Sequence, residues 1–170
     1  QLTAPTPCGG MVLGALLDHV NGLAQAFTLG ARKMVPEGGS PAPSADASRL
    51  DPDWREQIPA RLAVLAQAWA DPEAWTGLAE VGGVTSPGDA TGMFALDEVL
   101  VHGWDLAVAS GQSFEIDTRL VQANYEFVHA LVSGAPDGIP GLFGPPVPVP
   151  DGAPWLDRLI GLTGRDPHWT

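Results

Sequence analysis

The sequence contains little positive charge and little cysteine. It has 8 lysine and arginine residues against 20 aspartate and glutamate residues, which gives a formal net charge of −12 over 170 residues. Such an acidic chain does not favour binding to a nucleic-acid phosphate backbone or to an anionic membrane surface. The single cysteine, Cys8, excludes an internal disulfide and a multi-cysteine zinc site. We therefore expect no nucleic-acid partner and no membrane partner.

Long apolar runs are also absent. No segment approaches the roughly 20 apolar residues that a membrane-spanning helix requires. The first residues, QLTAPTPC, have neither the basic stretch nor the apolar stretch of a signal peptide. A reducing cytoplasm is therefore the expected location. Because the sequence starts with Gln and not Met, we expect it to begin inside a longer gene product.

What is present is the composition of one globular domain with a hydrophobic core, at 45% hydrophobic and 16% charged residues. Apolar residues recur at helical spacing over five segments, while no strand alternation stands out. The intervening segments 35–49, 72–88 and 134–152 are rich in Pro and Gly, which predicts irregular loops, the first of them a lid or a disordered surface loop. We predict an all-α helical bundle with helices over 11–33, 52–71, 89–110, 118–131 and 153–163.

The third predicted helix contains a stripe of titratable residues. At about 100° per residue, Glu98 and His102 lie about 40° apart on the helix surface, and Asp105 returns to within about 20° of Glu98. The neighbouring residues are mostly apolar, and burying titratable groups among them costs free energy unless a partner satisfies them. A divalent metal ion would be such a partner.

A third ligand for such an ion is available on the first predicted helix. His19 is flanked by Leu16, Leu17, Val20 and Leu23, and with Glu98 and His102 it makes a set of two histidines and one carboxylate. Three protein ligands leave a position open for water or substrate, as in catalytic metal sites. The alternative is that His19 is an ordinary core residue and that Glu98–His102 is a surface pair.

Three segments together resemble one known family. ALDEVLVHGWDLAVASGQ (95–112) resembles the signature E-x3-H-G-W-D-L-A-x-A-[ST]-G-Q of proteins similar to the N-terminal domain of mycothiol-dependent maleylpyruvate isomerase, within the DinB/YfiT-like superfamily. PTPCGGMVLGALLDHV (5–20) and PWLDRLIGLTGRDPHW (154–169) resemble the start and the tail of the same group. The match reaches both ends and the middle of the chain.

The resemblance implies a DinB-like four-helix bundle, occupying 1–170 as a single domain, that binds a divalent metal. The family's ligands map onto His19, Glu98 and His102. Zinc is the expected metal, with nickel or another transition metal as the alternative. The family normally has a helix before the PTPC segment, so we expect this chain to lack or not to show its first helix. Met11 replaces the family's usual aromatic residue.

In the relatives the metal is thought to activate mycothiol, so the resemblance implies a thiol-dependent transferase or isomerase acting on a small electrophile. Maleylpyruvate isomerisation itself is not expected, because the isomerase uses a second domain that does not follow the tail here. A metal-dependent hydrolase, a non-catalytic metal-binding or ligand-sensing module, and a helical homodimer are the competing interpretations.

Two further residues are candidates for catalysis. Asp105 could orient a ligand, act as a general base or pair with an arginine. Arg165, the arginine of the tail signature, is predicted to fold back toward Asp105, or else only to tie the C-terminus to the bundle. Cys8 could be a nucleophile or a fourth ligand, but we favour a small apolar role for it.

Overall fold

A computed structural model describes all 170 residues, and its helices dominate. The helices are α1 (Leu13–Ala31), α2 (Trp54–Trp69), α3 (Gly88–Ser110), α4 (Thr118–Val132) and α5 (Trp155–Leu162). A single small sheet joins β1 (Leu78–Val81) to β2 (Val84–Pro87). The predicted all-α class is confirmed, with the five helices close to their expected positions. None of the helices is both long and apolar enough to cross a membrane.

Helix α1 packs its apolar stripe against α2 and α3. Leu16, Leu17 and Val20 meet Ile58 of α2 in one buried cluster. One turn further along, Phe27 lies with Leu65 of α2 and with Ala95 of α3 in a second cluster, which Leu23 completes. The spacing of these residues at three and four positions is what drives α1 to form and to bury that face.

Helix α3 is the centre of the molecule, because α4 and α5 pack on the side that α1 does not cover. The largest apolar cluster combines residues of α3, α4, α5 and the loop before α5, namely Leu100, Val101, Trp104, Val121, Val128, Val132, Phe143, Leu159 and Ile160. Gly111, with φ of 71°, ends α3 in a left-handed C-cap. Because other helices cover α3 on both sides, its polar residues lie in the interior, where they need partners.

The hairpin corrects the prediction that residues 72–88 are irregular. Pro72–Trp75 form a short 3-10 turn, and β1 and β2 pair antiparallel with Val81 opposite Val84. Gly82 and Gly83 between them have φ of 62° and 76°, as a two-residue hairpin turn of type I′ requires. The strand sequences, LAEV and VTSP, are too short and too irregular to show alternation, and their apolar residues Leu78 and Val84 are exposed. The sequence Val-Gly-Gly-Val was the feature from which the hairpin could have been predicted.

Candidate metal centre

Helix α3 brings Glu98, His102 and Asp105 into one row. His102 Nε2 lies 3.0 Å from Glu98 Oε2, and His102 Nδ1 lies 2.9 Å from Asp105 Oδ2. The first pair is four residues apart and the second three, so the helical repeat alone places both carboxylates beside the imidazole. The His102 ring is thereby held at both nitrogens.

Helix α1 adds His19 to this row. The rings of His19 and His102 meet edge to face, with centroids 5.2 Å apart. One ligand atom from each of His19, Glu98 and His102 can be chosen so that all three lie within 4.8 Å of one another. The remaining histidines, His129 and His168, are exposed and lie outside this group.

The donor set fits a divalent metal ion. Two ligand atoms at zinc bonding distance lie roughly 3.3 Å apart at the tetrahedral angle, close to the observed Nε2–Oε2 separation. His19 Nδ1 is buried and makes no hydrogen bond of good geometry, although the backbone of Pro43 and Ser44 lies near the His19 ring. A buried nitrogen without a partner is costly, and a metal ion is one group that would use such a lone pair.

Arg165 contacts Asp105 from the far end of the chain. Its Nε donates to Asp105 Oδ1 at 2.8 Å, and its Nη2 donates to Oδ2 at 3.0 Å. The Asp105 side chain is fully buried, and that of Arg165 is 10% exposed. Gly164, with φ of 82°, makes the turn after α5 and packs so closely on Gly144 that a Cβ would lie 2.7 Å from its Cα. The predicted return of Arg165 toward Asp105 is thus present.

Burial and charge shift the protonation of both histidines. Burial by itself lowers the pKa of His102, but its hydrogen bonds to Asp105 and Glu98 outweigh this and raise the pKa to about 9. Burial, and then the nearby His102, lower the pKa of His19. Without a metal, His102 therefore carries a proton at neutral pH between two carboxylates, and a metal ion has to displace it.

A small cavity opens beside these residues. Its volume is about 120 Å³. It is lined by Cys8, Met11, Asp97, Glu98, Val101, His102, Gly141, Leu142, Phe143 and Arg165. A larger groove of about 470 Å³ between α1 and the 36–49 segment has none of the three ligand residues in its wall. The small cavity has two of the three candidate metal ligands, Glu98 and His102, in its wall, whereas His19 is not part of that wall.

Cys8 lies on the Asp105 side of His102. Its Sγ comes within 4.8 Å of a His102 nitrogen and an Asp105 oxygen, but it is not grouped with His19 and Glu98. Burial raises the pKa of Cys8, and the charge of Arg165 opposes that shift. A neutral thiol in the cavity wall agrees better with the small apolar role than with a nucleophile.

One residue of the cavity was missed by the sequence interpretation. Asp97 is 3% exposed, and its Oδ1 accepts a hydrogen bond of 2.9 Å from Nδ2 of Asn124 on α4. Burial raises the pKa of Asp97 to about 7, although the Asn124 hydrogen bond lowers it. Its position in an apolar helix hinted at burial, but its partner lies 27 residues away in sequence and only the packing of α4 reveals it.

Known proteins of similar sequence point to one family. An uncharacterised protein of Mycobacterium tuberculosis strain CDC 1551 and one of strain H37Rv are each 27% identical to this chain over 165 residues, covering 97% of it and 85% of the relative. No solved structure matches the chain significantly. Residues 1–107, more than half of the chain and including all three candidate ligands, match the model of one domain family. The chain belongs to the mycothiol maleylpyruvate isomerase N-terminal domain family.

Proposed function

We propose that His19, Glu98 and His102 hold a divalent metal ion, with zinc as the first choice, and that the site activates a small thiol such as mycothiol. The reaction is transfer of the thiol to a small electrophile, or a thiol-assisted isomerisation of it. The observation that carries the proposal is the convergence of three ligand side chains from two helices. One of the three, His19, has a buried nitrogen with no hydrogen bond of good geometry. Family membership supports the thiol chemistry.

The three ligands suit a catalytic rather than a structural site, because three protein ligands leave one position of a tetrahedral ion open. A bound zinc ion would stabilise the thiolate of an incoming thiol over the neutral thiol, so that sulfur becomes nucleophilic at neutral pH. The cytoplasm is the proposed location, since small thiols are kept reduced there.

The remaining polar residues support the ligands. Asp105 accepts from His102 Nδ1 and so fixes the tautomer that leaves Nε2 free for a metal. Both Asp105 oxygens are occupied, by His102 and by Arg165, so we assign Asp105 a positioning role and not that of a general base. Arg165 balances the charge of Asp105 in the interior, where an unpaired carboxylate is strongly disfavoured.

The test is thiol transfer by zinc-loaded protein. We expect the protein to accelerate the reaction of mycothiol with 1-chloro-2,4-dinitrobenzene, in which a C–S bond forms, chloride leaves and the thiol proton goes to buffer. The His19→Ala variant should lose this acceleration, and the exposed-residue control His129→Ala should keep it. Equal rates in His19→Ala and the control would contradict a metal-bound thiol.

A further inference from the structure

We propose that Asp97 is a specificity residue of the small cavity and accepts a hydrogen bond from an N–H or O–H group of the bound thiol. This inference rests on the proposed function, because it concerns the ligand of the same site. The ligand class it selects is a thiol that carries a hydrogen-bond donor close to its sulfur, such as an amide N–H. Simple alkanethiols and thiols with only ester or ether oxygens lack such a donor.

The first argument is the state of the Asp97 carboxyl group. It is almost fully buried, and Asn124 Nδ2 occupies one of its oxygens. Oδ2 makes no hydrogen bond within the protein, and Asp97 lines the cavity together with Glu98 and His102. A carboxyl oxygen without a protein partner at the wall of a binding cavity is free to accept a donor from a ligand.

The second argument is the unpaired carbonyl oxygen of Asn124, the residue that binds Asp97. Asn124 is fully buried, and its Oδ1 has no hydrogen-bond partner. A buried carbonyl without a partner is destabilising, and apolar side chains in place of both residues would avoid that penalty. The structure therefore retains a costly buried pair whose effect is to fix a carboxyl group at the cavity wall.

The third argument is the chemistry of the other cavity residues. Arg165 also lines the cavity, but two of its nitrogens are committed to Asp105. Met11, Val101, Leu142 and Phe143 are apolar. Cys8 is held as a neutral thiol by its raised pKa, and Glu98 is a proposed metal ligand. Asp97 is thus the polar side chain of the wall that remains free to accept a hydrogen bond, and discrimination against a ligand without a donor follows from leaving it unpaired.

The experiment compares two thiols that differ in one group. N-acetylcysteamine has an amide N–H, and 2-mercaptoethyl acetate has an ester oxygen at the same place. Each is titrated at about pH 8.5 into the cobalt-loaded protein, because the raised pKa of Asp97, about 7, leaves it an acceptor-only carboxylate there. Binding is followed by the sulfur-to-cobalt charge-transfer absorption, which requires no turnover. We expect wild type to bind the amide about tenfold more tightly, the size expected from one hydrogen bond to a buried carboxyl group.

The near-isosteric variant Asp97→Asn should reduce this preference to within about twofold. The exposed control Asp137→Asn should retain it. Equal affinities in wild type, or a preference that survives in Asp97→Asn, would overturn the inference while leaving the thiol chemistry intact. Equal wild-type affinities would overturn the inference even if the variant fails to fold. Absence of the charge-transfer band with both thiols would overturn the proposed function and this inference with it.

Discussion

At the scale of single residues, Asp105 controls the orientation of His102. In Asp105→Asn the side chain keeps its size but loses its charge, and its amide NH2 would face an N–H of Arg165 or the Nδ1 of His102. Either arrangement weakens the hold on His102 Nδ1 that leaves Nε2 available to a metal. We predict a loss of zinc affinity of about 10- to 100-fold, measured by competition with a chromophoric chelator. The exposed variant Asp151→Asn is the control. Unchanged affinity in a folded Asp105→Asn protein would contradict the positioning role.

Arg165 gives a second prediction, because its removal leaves the buried Asp105 with His102 as its remaining cationic partner. Arg165→Ala should lower the free energy of unfolding of the metal-free protein by about 3–5 kcal/mol, as urea denaturation would measure. Arg165 also holds both oxygens of Asp105, which orients His102, so its loss should loosen the ligand and weaken zinc binding. Exposed Arg119→Ala is the control. A loss of stability with unchanged zinc affinity would mean that Arg165 only ties down the C-terminus.

The protonation of His102 predicts a pH dependence with a definite sign. Its pKa is raised to about 9 in the folded protein by the bonds to Asp105 and Glu98, against burial, from 6.5. The native state then holds a proton that the unfolded state has lost, so the stability of the metal-free protein should fall as the pH rises from about 7 to 9. Zinc affinity should rise over the same range, because the competing proton leaves.

Denaturation and zinc titration across this window would check both trends. Burial raises the pKa of Asp97 to about 7, so its effect on the pH dependence of stability falls mainly below pH 7. The change in stability between about pH 7 and 9 therefore reports mainly on His102. The variant His102→Gln should flatten the stability curve above pH 7. A stability that rises with pH in wild-type metal-free protein would be inconsistent with a proton shared between His102 and its carboxylates.

Residue spacing explains why part of the site could be predicted. Glu98, His102 and Asp105 lie within two turns of one helix, where the 3.6-residue repeat fixes which side chains are neighbours. The contact of Arg165 with Asp105 spans 60 residues and was reached through the resemblance of the tail, not through any local rule. Asp97 and Asn124 had neither a local pattern nor a motif.

At the scale of elements, the start of α3 depends on a glycine. A Cβ on Gly92 would lie 2.6 Å from the Trp75 ring and 2.8 Å from the Trp69 ring, and these rings pack edge to face with centroids 5.2 Å apart. We predict that Gly92→Ala lowers the free energy of unfolding by about 1–3 kcal/mol through overpacking. Zinc affinity should not change, because Gly92 precedes Glu98 by more than one turn.

Chemical denaturation measures this effect, and Gly134→Ala is the matched control because nothing lies within 4 Å of a Cβ there. Equal stability of the two variants would show that the tryptophan pair yields to a methyl group.

The helices were predictable because their apolar stripes are long and periodic. The hairpin was not, since its strands are short and alternate too weakly to give a period-two signal.

At the scale of the whole molecule, the candidate ligands join two parts of the core. His19 belongs to α1, which packs on α2, and Glu98 and His102 belong to α3, which also packs on α4 and α5. The periodicity of the sequence predicted that these helices exist. Whether His19 faces His102 depends on how α1 packs on α3, and no local sequence pattern specifies that packing. A bound ion would connect α1 to α3 and stabilise the folded state by mass action.

Metal content tests the central claim most directly. Wild-type protein, purified without chelators and given zinc, should contain about one equivalent by elemental analysis. The His102→Ala variant should lose most of it, and the exposed control His129→Ala should match wild type. Wild-type protein that neither carries zinc nor takes it up would contradict the account, and Glu98, His102 and Asp105 would then be a buried hydrogen-bonded row without a metal.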